Sequence, residues 1–186
     1  MARPRLILSV VGAAVLAGAA LSSHQTAKPA AAPVIVLDTA KGVIEIEMHP
    51  ADAPKSVARI LELAAKGFYR GQRIHWVQPG VVQFGDPQSR DMTKESTWGL
   101  GGSGPRSGIR PIGVAEISKR PFARGTVGLA YRANQKAEDG DSQMFILTVA
   151  IPTMNGKYAL IGHVTKGMAI ADKLEKADPI KNVTVK

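Results

Sequence analysis

A chain of 186 residues with 45% hydrophobic and 21% charged side chains has the size and composition of one globular domain and is too short for two comfortable ones. The absence of cysteine excludes disulfides, thiol nucleophiles and thiolate zinc sites, and 19 glycines with 12 prolines favour many short strands over a helical bundle. The net charge of +9 comes without aromatics interleaved among the basic residues, so nucleic acid is not an expected partner; an anionic envelope surface or plain solubility accounts for the charge.

In chain order, Arg3 and Arg5 precede an apolar run from Leu6 to Leu21 broken by Ser9, and Ala17-Gly18-Ala19 supplies the small residues that processing requires. Residues 1–21 therefore read as a secretory leader, which places the mature protein in the periplasm or outside the cell. The run is short for a permanent span, which needs roughly 20 apolar residues, but serves as a membrane anchor if it is left uncleaved. Its removal takes Arg3 and Arg5 with it and lowers the charge from +9 to +7. Residues 22–33, "SSHQTAKPAAAP", form a tether. Residues 34–186 form the domain.

"VIVLDT" (34–39) and "VIEIEM" (43–48) predict a hairpin about Ala40-Lys41-Gly42. In "ADAPKSVARILELAAKG", Val57, Ile60, Leu61 and Ala64 share one helical face, with Asp52 as cap, Pro54 in the first turn and Gly67 as terminator. "RIHWVQPGVVQFGDP" (73–87) is a half-buried strand that turns at Pro79-Gly80 and resumes as Val81–Phe84. Residues 88–111, rich in glycine, read as a long surface loop, which in a compact domain has a task or is disordered. "GVAEI" (113–117), "TVGLA" (126–130), "MFILTVA" (144–150) and "YALIGHV" (158–164) follow as strands, "GMAIADKLEKA" (167–177) as a second helix and "NVTVK" (182–186) as a closing strand. The pattern is mostly β: a small closed antiparallel barrel, plugged by side chains and capped at its ends.

Gly99-Leu100-Gly101-Gly102-Ser103-Gly104 spells a dinucleotide-binding fingerprint, but Pro105 and Ser107-Gly108 follow where a helix should open, so the loop reading prevails. Ser103 lacks the glycine frame of a nucleophile elbow. His24, His49, His75 and His163 are too scattered to form a metal site, and none is expected.

"GFYRGQRIHWVQPGVVQFGDP" resembles the cyclophilin peptidyl-prolyl isomerases, whose pattern is F-Y-x-G-x-x-F-H-R-V-x-P-x-F-x-x-Q-G-G-D. "DSQMFILTV" (141–149) is similar to the family's G/D-S-Q-F-F-I, and "NGKYALIGHV" (155–164) to its D-G-K-H-V-V-F-G-x-V. "ADAPKSV" looks like its x-D-A-P-K-T-V. The ordered matches run from residue 34 to about 174. The resemblance implies an eight-stranded antiparallel barrel with two capping helices, acting without cofactor on X-Pro bonds; a monomer is expected. Its partners would be proline-containing segments of unfolded or exported proteins.

Carried over residue by residue, the resemblance implies that Gln83 bonds the substrate backbone, Phe145 floors the proline pocket, Val81 and Met154 wall it, and Ala130 and Gln143 line the neighbouring groove. Tyr158 stands where the family commonly has His, and His75, Tyr131 and Arg132 complete the substrate-binding set. The family's catalytic Arg position is Trp76 here, the corner at Pro79-Gly80 is one residue short, Thr153 replaces the rim Trp, and Phe84 replaces a glycine. An indole N–H donates only a neutral hydrogen bond, so Trp76 is expected to fill part of the pocket and to lower turnover. Arg73 falls on the opposite strand face from Trp76, which leaves Arg132 as the surrogate cation. A non-catalytic proline-peptide-binding chaperone or interaction module on the same scaffold is the alternative.

Overall fold

Alternation of apolar and polar residues along short segments builds the sheet, and one amphipathic segment builds its main helix. In a computed structural model, residues 31–186 are described; the leader at 1–21 and the tether as far as residue 30 lie outside the described residues. The elements are β1 (Val34–Thr39), β2 (Gly42–Met48), α1 (Pro54–Ala65), β3 (Trp76–Gln78), β4 (Val81–Phe84), β5 (Thr126–Leu129), β6 (Met144–Leu147), β7 (Leu160–Lys166), α2 (Met168–Ala171) and β8 (Ile180–Val185). The strands form one eight-stranded antiparallel sheet in the order β3-β4-β6-β5-β7-β2-β1-β8.

The closed barrel is corrected to a curled, half-closed sheet with β3 and β8 as edges. Between the edges stands a single bridge, Arg73 with Pro179, flanked by Ile74 N–H to the Asp178 carbonyl (2.9 Å) and Ile180 N–H to that of Gln72 (2.8 Å). Pro179 has no N–H and Gly71 turns at φ 73°, so no ladder propagates there.

Period-two alternation sends the sheet's two faces into different clusters. Val82 and Phe84 of β4 and Met144 and Ile146 of β6 join the main core with Ile35, Leu37, Ile44, Ile46 and the buried face of α1. Their neighbours Val81, Phe145 and Leu147 point the other way, into a smaller cluster with Phe122, Ala130 and Leu160. That second face carries the cleft described below. Phe84, in place of the family's glycine, is fully buried, with its ring 6.5 Å from that of Tyr69.

Three elements depart from the sequence pattern. The N-terminus of α1 is capped not by Asp52 but by Glu116, whose carboxylate accepts from the N–H of Lys55 (2.9 Å) and of Ser56 (2.8 Å); Asp52 instead pairs with Arg120 (3.2 Å). Serving that cap keeps 113–117 out of the sheet: the segment forms no strand, its Glu116 is half-buried and its Ile117 is exposed. The second helix stops after one turn at Ala171, because Lys41 binds the Lys173 carbonyl (2.6 Å), Asp178 accepts from the Glu175 N–H (2.7 Å) and Ala177 adopts φ 74°.

Candidate functional site

The site grows out of one row across the sheet. Strand register sets Trp76 opposite Gln83, Gln83 opposite Phe145 and Phe145 opposite Gly128, and residues paired across antiparallel strands share a face. The row begins at a two-residue hairpin, where Gly80 takes φ 87° after Pro79, the φ > 0 that glycine supplies without steric cost. It ends at Gly128, where a Cβ would strike the Phe145 ring. The glycine thus seats that ring flat against the sheet.

Above the row lies a cleft of about 640 Å³. One half is apolar: Phe145 on the floor, with Val81, Ile151, Met154 and Tyr158 around it. The rings brace one another: Tyr158 stands edge-on to Phe145 at 5.3 Å and against Tyr131 at 4.8 Å, and Phe122 lies 6.2 Å from Phe145. Phe145 and Phe122 are almost wholly withdrawn from solvent, so the floor is rigid.

The polar edge is fixed by a chain of amides. Gln143 donates both Nε2 hydrogens, to the carbonyls of Gly99 (2.9 Å) and Gly101 (2.7 Å). Its Oε1 therefore accepts, and does so from Gln83 Nε2 at 2.9 Å. Gln83 keeps its own Oε1 for the cleft, an oriented acceptor at the rim of the apolar pocket.

The glycine-rich segment 88–111 is a surface loop with a task, and the task is support. Short 3-10 turns occupy Pro87–Arg90, Met92–Thr97 and Pro105–Ser107. Such a loop ordinarily gathers backbone N–H groups around a phosphate; here it gathers them around two of the protein's own carboxylates. Asp86 accepts from Gly99 (2.6 Å) and Gly101 (3.1 Å). Asp141 accepts from the N–H and hydroxyl of Ser103 (2.5 Å each), the N–H of Arg110 (3.0 Å) and the guanidinium of Arg59 (2.8 Å). A Cβ on Gly101 or Gly102 would collide with those carboxylates.

His75 lies behind the row, 3% exposed, and burial pushes its pKa down to about 4. It is neutral at pH 7 and supplies no charge. The cleft's cations are Arg132 and Lys176. Lys176 is paired with Glu95 at 2.7 Å. Arg132 Nε is shielded from solvent and has no hydrogen-bond partner among the described residues. Arg73 is turned away, its guanidinium donating to the Ala177 carbonyl (3.0 Å).

The structure brings His75, Trp76, Val81, Gln83, Ala130, Tyr131, Arg132, Phe145, Met154 and Tyr158 to this one cleft. Gln143 stands just behind Gln83 and lines a small adjoining hollow with Ala130, Tyr131 and Arg132. Trp76 does not fill the pocket as its size suggests: it lies 42% exposed on the rim, because β3 is an edge strand of three residues with nothing packed over it. Thr153 lies exposed on the opposite rim.

Sequence reading missed Phe122, Ile151, Glu95, Trp98, Leu100 and Lys176. All reach the site through long-range packing that no local pattern announces. One signal was present: the chain has 2 tryptophans, and both line the cleft.

Comparison with known proteins agrees with this geometry. The family model described as cyclophilin type peptidyl-prolyl cis-trans isomerase/CLD matches residues 34–186. A Brucella suis protein named a probable peptidyl-prolyl cis-trans isomerase is 37% identical across 97% of this chain and 91% of its own length. A Helicobacter pylori peptidyl-prolyl cis-trans isomerase is 30% identical across 88% and 91%. Among solved structures, a Cryptosporidium parvum cyclophilin type isomerase, crystallised in the presence of the dipeptide Ala-Pro, superposes with a TM-score of 0.67 at 22% identity, covering 82% of this chain and 98% of its own. A Hirschia baltica cyclophilin gives 0.61 at 20%, covering 81% and 73%. At those identities the two structures speak for the fold, while the family model and the curated relatives speak for descent: the chain belongs to the cyclophilin-type peptidyl-prolyl cis-trans isomerase family.

Proposed function

We propose that this protein isomerises X-Pro bonds of exported polypeptides, at a turnover lowered by Trp76. The observation that carries the reading is the row itself: an oriented amide acceptor, Gln83, set beside an apolar floor, Phe145, on a cleft wide enough for a peptide. The task is to lower a barrier of about 18–20 kcal/mol that arises from amide resonance. The prolyl ring seats on Phe145 between Val81, Met154 and Tyr158, and a neighbouring substrate N–H donates to Gln83 Oε1. Held at both points, the bond between them turns while its surroundings stay fixed.

A cation aimed at the prolyl nitrogen would draw its lone pair out of conjugation, and Trp76 cannot supply one. Arg132, whose shielded Nε has no hydrogen-bond partner among the described residues and which lines the cleft, is the surrogate. A single preorganised donor of this kind is worth about a hundredfold to a thousandfold in rate, which sets the scale of the deficit. Export is supported by the charge and apolar pattern of residues 1–21; the mass of the protein taken from its native host tests it, since an intact Met1–Leu21 in the soluble fraction would contradict cleavage.

The second reading, a proline-peptide-binding module without catalysis, is favoured by Trp76 and Thr153, the two cleft residues that depart furthest from the catalytic pattern. A protease-coupled assay on a proline peptide separates the two. Acceleration above the thermal rate, lost in Arg132→Ala, supports the isomerase; binding with no acceleration supports the module. Among the described residues no helix is long and apolar enough to cross a membrane.

A further inference from the structure

The proline pocket accounts for only half of the cleft. The other half is walled by Trp76, Trp98 and Leu100, with Glu95 and Lys176 at its edge. We propose that this half is a subsite for an aromatic side chain next to the substrate proline. The proposal rests on the proline-peptide reading above and adds the class of residue that the cleft selects.

Three observations point to an aromatic occupant. The aromatics of the proline pocket are already packed against one another, Phe122, Phe145, Tyr131 and Tyr158 lying 4.8 to 6.3 Å apart in successive pairs. Neither tryptophan has such an aromatic partner among the described residues: Trp76 is 42% exposed, Leu100 in the same cleft is 50% exposed, and the half-buried Trp98 has the Lys176 ammonium 5.9 Å from its ring centroid. An exposed tryptophan and an exposed leucine in one cleft with a second, half-buried tryptophan mark a place where a partner side chain is buried.

The Trp98 indole and the backbone that carries Trp76 are held in place. Trp98 Nε1 donates to the Asp91 carbonyl at 3.1 Å, and the loop that carries it is pinned at Gly99 and Gly101 by Asp86. Trp76 is paired through β3 with Gln83. Little ordering remains to be done on binding.

The charges at the edge argue against an acidic occupant. Lys176 is already neutralised by Glu95 at 2.7 Å, so a substrate carboxylate would have to displace Glu95. An apolar ring displaces only water and packs against the side chains that line this half, Trp76 and Trp98 among them.

The test is a set of peptides built on Ala-Ala-Pro-Ala, with Phe or Asp replacing each alanine in turn, titrated against the full protein. Intrinsic fluorescence is the readout, since the chain has 2 tryptophans and both line this cleft. At one position Phe should tighten binding about fivefold to tenfold and Asp should not. Trp98→Ala should bring the preference for Phe to within about twofold of the parent peptide, while Trp98→Phe, which keeps a ring on the same loop, should retain most of it.

The proposal is overturned if no position prefers Phe, if Trp98→Ala keeps the preference, or if Asp is preferred and Lys176→Ala abolishes that preference. A parent peptide that binds without any preference sinks the subsite alone. If no proline peptide binds at all, the proline-peptide reading falls and the subsite falls with it.

Discussion

Replacing Trp76 by Arg puts a cation at the position where the family resemblance places the catalytic one, and the structure allows its effect to be reasoned through. A buried indole exchanged for a buried guanidinium would cost several kcal/mol twice over, once for the cavity and once for the stranded charge. Neither cost applies here. Trp76 is 42% exposed on a three-residue edge strand, so a guanidinium there keeps most of its water, and the loss of stability should stay near 1 kcal/mol. Register keeps position 76 on the face of Gln83 and Phe145, which aims the new side chain across the cleft. A charge-assisted hydrogen bond recovered at this half-exposed rim is worth about 1.5–3 kcal/mol, a rise of about tenfold to a hundredfold in turnover. The protease-coupled assay on a proline peptide reads the rate, and a urea melt on the same sample reads the stability. A Trp76→Arg variant that stays folded, still binds the peptide and gains nothing would refute the reasoning: the short corner at Pro79-Gly80 would then have carried position 76 out of reach of the prolyl nitrogen.

Phe145→Ala removes the floor of the cleft and should cost about 3–5 kcal/mol in a denaturant melt while abolishing peptide binding. Gln143→Leu strands the carbonyls of Gly99 and Gly101 and frees Gln83; it should cost about 1–3 kcal/mol and lower kcat more than it raises KM, whereas unchanged kcat would show that Gln83 needs no such anchor. Because burial depresses the His75 pKa from 6.5 to about 4, the unfolded chain takes up the proton first as pH falls. The stability that neutral His75 contributes is therefore complete above about pH 6.5 and is lost towards pH 4, on the order of 3 kcal/mol in all. Urea midpoints at pH 7 and pH 4.5 should differ in the wild type and differ less in His75→Gln.

What the sequence revealed and what it concealed divide along physical lines. The β4 segment was legible because alternation with a period of two puts Val81 and Gln83 on one face, whereas Phe145 was joined to them only by the family resemblance, since the register between β4 and β6 that sets it opposite Gln83 has no local signal. The same pattern misled at 113–117, where alternation is genuine but inverted: Glu116 turns inward to cap α1 while Ile117 faces out. A capping partner some 60 residues away leaves no trace in a local window. The single turn of α2 was hidden for a similar reason, since its end is imposed by Lys41 from the β1–β2 turn. Closure of the sheet depends on whether two edges meet in register, and a proline at the meeting point decided that against a ladder. The glycine-rich segment spelled a fingerprint without the helix that should follow it, and its purpose needed the positions of Asp86 and Asp141, which come from other parts of the chain.

The central claim is that the row Trp76–Gln83–Phe145 works on a prolyl bond. Two-dimensional exchange NMR on an Ala-Pro peptide with a substoichiometric amount of the protein tests it most directly, because uncatalysed interconversion takes tens to hundreds of seconds and gives no exchange peaks on the mixing timescale. Cis–trans exchange peaks that appear with the wild-type protein, strengthen with Trp76→Arg and vanish with Phe145→Ala are the predicted result. Peptide resonances that shift on binding while no exchange peaks appear, in the wild type and in Trp76→Arg alike, would contradict it.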